Sequence, residues 1–354
     1  MPYIPEEIVD KIISFATADS DRRIFTTHAS VSHTFHQIAL PYRFRSLYID
    51  ATSSCTGTAI PKFCEAISAG DTHALSLAPL VQQLTLFMWS ASGPAGTDVL
   101  FEKTINGVLS FRNLTKLNMR RCITSLAIME QLGKLVQLQS LHTWCCFEME
   151  NEFMKGSYGS LSNLQSLHTL ECLDDGHHFS CHLANIPMKN LRILNCNDLK
   201  VIEAVLTTDP SVQLEELWLP RHYKNYEYQY RYSLLWNYLA RVTSLTHLSL
   251  PNLTLQEAPP TSLVFPFQEL QYLHIHVAFA PRFANQPLKI LKIDTESKPG
   301  KAMVEVRKYW KGVVFPQVEY LMTDRSYEEM GEIPIGFWRE FLLNVNKVGA
   351  EYPC

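Results

Sequence analysis

The chain has 354 residues, 46% of them hydrophobic, with 31 basic and 35 acidic side chains for a formal charge of -4. That balance excludes a disordered chain and gives no support to a general nucleic-acid binder, which needs a surplus of Lys and Arg. No apolar run reaches the roughly 18 residues of a spanning helix, and the opening MPYIPEEIVDKII lacks the basic flank of a signal peptide.

Residues 1–43 carry no leucine repeat and are expected to form a small all-α unit. Pro5 suits a first helical turn, and Glu6 and Glu7 suit the positive end of the helix dipole. Ile8, Ile12 and Phe15 then fall at i, i+4 and i+7, with Ile13 widening the stripe. After the polar stretch TADSDRR, Val31, Phe35 and Ile38 mark a further helix, which Pro41 is expected to end. So short a unit buries little core by itself and must lean on the first repeat and a partner. One reading is a plain N-terminal cap.

The same stretch resembles an F-box, a family that opens with Leu-Pro-x-Glu-hydrophobic and later carries Val-Ser/Cys-x-x-Phe/Trp. Ile4, Pro5, Glu7 and Ile8 meet the first element, Ile12, Ile13 and Phe15 the hydrophobic helix, and Val31, Ser32 and Phe35 the third. Ile4 replaces the usual Leu, and the common Asp-Leu pair is missing from the middle. The ending through Arg43, Phe44 and Leu47 resembles the large F-box families of mushroom-forming fungi. The resemblance implies that Ile4, Pro5, Ile8, Ile12, Ile13, Val31 and Phe35 dock onto a Skp1-like adaptor, and through it onto a cullin–RING ligase core.

From Phe44 onward the pattern LxxLxL recurs. Its clearest copies start at Leu114, Leu138, Leu164, Leu191, Leu214, Leu245, Leu270 and Leu288, and weaker ones at Phe44, Val81 and Val318. The period averages about 27 residues, the range of a solenoid repeat. Side chains alternate along a strand, so the fourth and sixth positions face one way and the third, fifth and seventh the other. One such unit cannot bury its apolar side, whereas a stack can. The returns look helical where Leu126, Met129, Leu132 and Leu135 follow at three-residue spacing, and where Val201 and Val205 stand at i,i+4.

These copies resemble the leucine-rich repeat family, whose consensus LxxLxLxxN/C is met by Leu114, Leu117, Met119 and Cys122, and by Leu164, Leu167, Thr169 and Cys172. The expected fold is α/β: a leucine-rich-repeat horseshoe of about ten or eleven irregular units over 44–330, with 331–354 as a cap or tail. Of the nine cysteines, Cys122, Cys146, Cys172 and Cys196 follow the repeat and are expected to be buried, reduced thiols of an intracellular protein.

Little else points to chemistry. Cys172, His177, His178, Cys181 and His182 have zinc-friendly residue types but no knuckle spacing, and the polar-loop reading is preferred. Asp174 and Asp175 are adjacent, unsuited to converge as a general acid and base. There is no Gly-rich phosphate loop, GxSxG or HExxH. No cofactor, metal or catalytic group is therefore expected, and the protein is read as a non-catalytic binding subunit.

The outward columns are the expected target surface. The fifth position places Asn118, His142, His168, Asn195, Trp218, Ser249, His274, Lys292 and Met322 there, and the seventh adds Arg120, Trp144, Leu170, His276 and Asp294. Arg120, His142, Trp144, His168, Trp218, His274 and His276 are the candidate contacts. The Tyr-rich stretch 222–238 reads either as a return helix packing Leu234, Leu235 and Trp236, or as a second aromatic surface.

Overall fold

The computed structural model describes residues 33–50, 56–88, 106–124, 126–148, 160–173, 183, 186–197, 199–207, 212–219, 232–251, 253, 257–294, 299–323 and 335–349. The chain divides into two compact units. One comprises Met1–Leu167 with Asp174–Pro187, the other His168–Leu173 with Met188–Cys354.

In the first unit, helix α1 (His33–Arg45) runs directly into strand β1 (Ser46–Asp50). Pro41 lies inside α1 rather than ending it. A proline removes one backbone donor, and here the helix carries on for a further turn with Pro41 exposed to solvent. Helices α2 (Thr56–Ser68) and α3 (Thr72–Leu77) follow. Asp71 starts α3 by accepting the Ala74 amide at 2.7 Å, the usual work of an N-cap carboxylate. Gly107 packs so tightly on α2 that a Cβ would meet the Cys64 backbone at 2.7 Å.

Strands β2 (Gln83–Phe87), β3 (Lys116–Arg120) and β5 (Ser140–Trp144) join β1 in a parallel ladder. Its register aligns Leu47, Leu84, Leu117 and Leu141, the fourth position of each repeat. All four are buried, as are the sixth-position Ile49, Leu86, Met119 and Thr143, so alternation delivers one face to the core. Helix α4 (Leu126–Leu132) returns the chain between β3 and β5, burying Met129 and Leu132, with Leu135 just beyond it.

After β2, β3 and β5 the backbone turns sharply. Met88, Arg121 and Cys145, each at the eighth position, take φ of 51°, 53° and 50°. This left-handed conformation is unfavourable for a side chain with a Cβ. It is held by amide bonds to the next repeat, from Met88 to Arg120 O at 2.8 Å and from Arg121 to Trp144 O at 2.7 Å. The ninth-position thiols then turn inward, Cys122 Sγ lying 3.5 Å from Leu86 O and Cys146 Sγ 3.5 Å from Met119 O. That contact explains why Cys serves at this slot: it is a small apolar group with one weak donor. Two short strands, β4 (Ile123–Thr124) and β6 (Phe147–Glu148), pair in parallel just beyond.

The second unit contains β7 (Thr169–Leu173), β8 (Ile193–Cys196), β9 (Glu216–Trp218), β10 (His247–Leu250), β11 (Tyr272–His276), β12 (Ile290–Asp294), β13 (Tyr320–Thr323) and β14 (Lys347–Gly349). They pair in parallel in chain order, aligning Leu170, Leu194, Leu217, Leu248, Leu273, Leu291, Leu321 and Val348. The core-side returns include α5 (Leu199–Thr207), with Val201 and Val205 buried, and α6 (Tyr232–Leu239). Of the Tyr-rich stretch, α6 buries Leu235, Trp236 and Tyr238, while Leu234 is half-buried. Residues 220–231 lie outside the described set. The Tyr238 hydroxyl receives the Leu214 amide at 3.3 Å and donates to Val212 O at 3.4 Å, tying α6 to the repeat before it.

Two expectations change here. The repeat expected at Leu164 begins at Leu167, so Leu170 and Cys172 fill its fourth and sixth positions. The second-position carbonyl fixes this frame: His168 O accepts the Arg192 and Ile193 amides at 2.9 and 3.0 Å, as Thr115 O accepts those of Gln139 and Ser140. Leu170, expected to face outward, is therefore core, and Cys172 is an inward sixth residue rather than a ninth. Residues 331–354 were expected to form only a cap or tail, yet Val345 and Val348 start a further repeat on β14. The aromatic set Trp310, Phe315, Trp338 and Phe341 packs this end, with Trp310 Nε1 donating to Val277 O at 2.8 Å.

Candidate interaction surface

Each ladder presents its third, fifth and seventh positions on the face opposite the buried leucines. In the first unit, Asp50, Phe87, Arg120 and Trp144 are paired across β1, β2, β3 and β5, forming one seventh-position row. Trp144 is 47% exposed. The Arg120 guanidinium lies over its ring, 5.5 Å from the centroid. Tyr48 on β1 stacks on Phe87 at 6.4 Å and 22°. Asn118 Nδ2 donates to Thr85 Oγ1 at 3.1 Å, and the Ser140 hydroxyl is bonded to His142 Nε2 at 2.7 Å. Arg120, His142 and Trp144 thus share one face, as expected from their columns. Tyr48 and Phe87, which belong to the weak first repeats at Phe44 and Val81, stand on the same face.

The second unit is built differently. The Trp218 ring lies 5.0 Å from Tyr272 and 6.0 Å from His247, and its Nε1 donates to Glu216 Oε2 at 3.0 Å. Beside this cluster Ser249 Oγ is 3.0 Å from His274 Nδ1, and His274 Nε2 is 3.0 Å from Asp294 Oδ1. Asp294 fixes a proton on Nε2, so in the neutral ring Nδ1 accepts from the Ser249 hydroxyl and every donor meets an acceptor. The same residue types perform acyl transfer where the serine meets a substrate. Here Ser249, His274 and Asp294 are all buried, and the relay braces β10, β11 and β12 against one another.

Three expected contacts are thereby corrected. His274 and His276 are 7% and 4% exposed, held inside the outward layer instead of standing on it; the His276 ring accepts the Ala278 amide at Nδ1. His168 moves to the second position of its repeat, where its ring bonds the neighbouring Thr169 hydroxyl. The outward fifth position of β7 belongs instead to Glu171, which accepts from Asn195 Nδ2 at 3.4 Å.

The F-box-like residues Ile4, Pro5, Ile8, Ile12, Ile13 and Val31 lie outside the described residues, and of Phe35 only its place in α1 is described. His177, His178, Cys181 and His182 also lie outside. Among the described residues, no group of three or more His, Cys, Asp or Glu side chains is arranged to hold a metal ion. Nor is any described helix long and apolar enough to cross a membrane.

Comparison with known proteins gives no matching family model and no matching curated protein. Among solved structures, the chain is similar to an internalin from Listeria monocytogenes, at 13% identity over 84% of this chain and 96% of that one, with a TM-score of 0.38. It is also similar to a leucine-rich repeat protein from Leptospira interrogans, at 12% identity over 78% and 91% with a TM-score of 0.27. A third is the C-terminal domain of tropomodulin from Caenorhabditis elegans, at 11% identity over 42% and 92%, with a TM-score of 0.28. At these values the likenesses carry no argument; the strands and their registers describe each ladder as a parallel stack of repeats with an inward leucine column.

Proposed function

We propose that the chain is a substrate-recognition subunit of an SCF-type E3 ubiquitin ligase, in which residues 1–43 recruit Skp1 and the repeats hold the protein to be ubiquitylated. One observation carries this reading: the F-box-like spacing of Ile4, Pro5, Ile8, Ile12, Ile13, Val31 and Phe35 immediately ahead of a ladder of repeats. A helical unit with more aliphatic surface than it can bury alone is what an adaptor site requires. The chain then makes and breaks no bond. It raises the effective concentration of a target lysine beside the charged conjugating enzyme of a cullin–RING core, in the cytoplasm or nucleus.

On this reading Arg120, His142 and Trp144 are the target-facing residues, and Trp218, packed against His247 and Tyr272, is not retained. His168, His274 and His276 are not retained, for the positional reasons given above.

The test is a tagged pull-down from cells with Skp1 and cullin quantified by mass spectrometry, comparing the wild type with Ile8→Asp combined with Phe35→Ala. A buried unpaired carboxylate should abolish adaptor recovery while circular dichroism of the repeats stays native. Persistent Skp1 recovery from a folded double variant would refute this adaptor surface. Absence of Skp1 from the wild-type pull-down would leave the repeats as an interaction scaffold without ligase association.

A further inference from the structure

One repeat of the first ladder gathers three cations. Lys116, Arg120 and Arg121 sit at the third, seventh and eighth positions of a single repeat, and both arginines are exposed. Among the described residues none of the three has a carboxylate partner; Arg120 is engaged by the Trp144 ring alone. By contrast Arg192 is paired with Glu215, and Arg307 with Glu340.

The Arg120 guanidinium lies over the Trp144 ring and makes no ion pair among the described residues, which leaves its N–H groups available to grip a carboxylate through two parallel bonds. The stack also restrains a side chain that otherwise loses much rotamer freedom on binding. Flanking this cation are apolar surfaces at Phe87, at Met88 (39% exposed) and on the free part of Trp144. The three-strand row spans about 10 Å at the usual strand spacing, enough for a short extended segment. Charge and apolar area are therefore interleaved on one rigid surface.

We infer that the Phe87–Arg120–Trp144 row is a docking site for an acidic peptide segment of a partner protein, carrying Asp or Glu next to a large apolar side chain. Arg120 takes the carboxylate, Arg121 and Lys116 add long-range attraction, and Phe87 with Trp144 receives the apolar neighbour. This deepens the reading of the repeats as the target-binding part, and names the chemistry of what they select.

The measurement uses the full chain alone, with no adaptor, so that its failure is separate from any failure of Skp1 binding. Three fluorescein-labelled peptides of about twelve residues share one set of Leu and Phe positions, the rest being Glu, Gln or Lys, and are titrated by fluorescence polarisation. The Glu peptide should bind at least about tenfold tighter than the Gln peptide, with the Lys peptide weakest. Binding of the Glu peptide should weaken as salt rises. It should fall about tenfold in Arg120→Gln and again in Trp144→Ala, each checked for a native melting temperature, and be unchanged in Arg307→Gln. Should Arg120→Gln fail to fold, Arg121→Glu replaces it and should also weaken the Glu peptide. Equal binding of the three peptides, no binding of the Glu peptide, or indifference to the Arg120, Arg121 and Trp144 substitutions would each overturn the assignment. A phosphoserine peptide binding where the Glu peptide does not would overturn it as well, in favour of phosphate.

Discussion

The two ladders are built alike, each from short parallel strands with a buried leucine column, yet they finish their outward faces in opposite ways. On the first, Arg120 rests on Trp144 without a carboxylate, and the row from Phe87 to Trp144 lies open. On the second, Trp218 is closed in by His247, Tyr272 and Glu216, while Ser249, His274 and Asp294 form a buried hydrogen-bonded chain. The repeat backbone dictates neither outcome. Whether a face binds or braces depends on the residues at the third, fifth and seventh positions, and on whether their charges already have partners.

The largest effect that sharpens this contrast concerns the frame of β7. Leu170→Ala should cost about 2–5 kcal/mol in chemical denaturation, as a fully buried leucine does, while His168→Ala should cost less than about 1 kcal/mol. The reverse ranking would restore the frame starting at Leu164 and place Leu170 on the outward face.

Breaking the brace comes next. His274→Ala leaves the buried Asp294 carboxylate without its donor, and a loss of about 3 kcal/mol is expected. Asp294→Asn keeps an acceptor for Nε2 and should be milder. Equal, negligible losses would mean the relay contributes nothing.

Each unit also carries its own alkaline weakness. Burial pushes the Cys64 thiol in the first unit from its ordinary 9.0 up to about 12. Burial likewise raises Tyr238 in the second from 10.0 to about 12, against the Leu214 amide and Arg241, which lower it. A folded state that holds its proton more tightly is favoured below the unfolded pKa and loses that advantage as pH rises toward the folded one. Stability should therefore be level up to about pH 9 and fall by about 4 kcal/mol by about pH 11. Cys64→Ala should remove the earlier part of the decline and Tyr238→Phe the later part.

Smaller effects separate the two tryptophans. Trp218→Ala should cost about 1–2 kcal/mol through its lost ring contacts. Trp144→Ala should cost less, about 0.5–1 kcal/mol by melting, since about half the ring is exposed and its contact with Arg120 is a surface one. Breaking the exposed Arg192–Glu215 pair with Arg192→Ala should cost at most about 1 kcal/mol and set the floor of the series. If Trp144→Ala destabilised more than Trp218→Ala, the division into an open face and a bracing face would be reversed.

The ladders were legible in sequence because period-two alternation of Leu and its relatives has few other physical meanings. The misplaced frame shows the limit of that signal. Leu164, Leu167 and Leu170 are spaced by three, so two frames satisfy Leu-x-x-Leu equally, and only the sixth position separates them: Thr169 in one, the more apolar Cys172 in the other. Outward columns were legible as positions but not as environments. Burial of His274 arises from Ser249 and Asp294, distant along the chain by a whole repeat on either side, and no local pattern announces it. Helix α1 passing through Pro41 is a similar case, where the surrounding structure tolerates one missing donor.

The second-position carbonyls act as index marks along the molecule. Arg45, Gln82, Thr115, His168, Arg192, Glu215, Thr246, Gln271, Lys289 and Glu319 each receive the opening amides of a later repeat through this oxygen. About twice as much chain separates Arg45 from Gln82 as separates Gln271 from Lys289, yet both pairs meet through the same bond. Because each strand is set against its neighbour at its first residues, errors in length do not accumulate. The returns can lengthen, shorten or be replaced wholesale while the count is kept, which makes them the natural place for such a protein to acquire new parts.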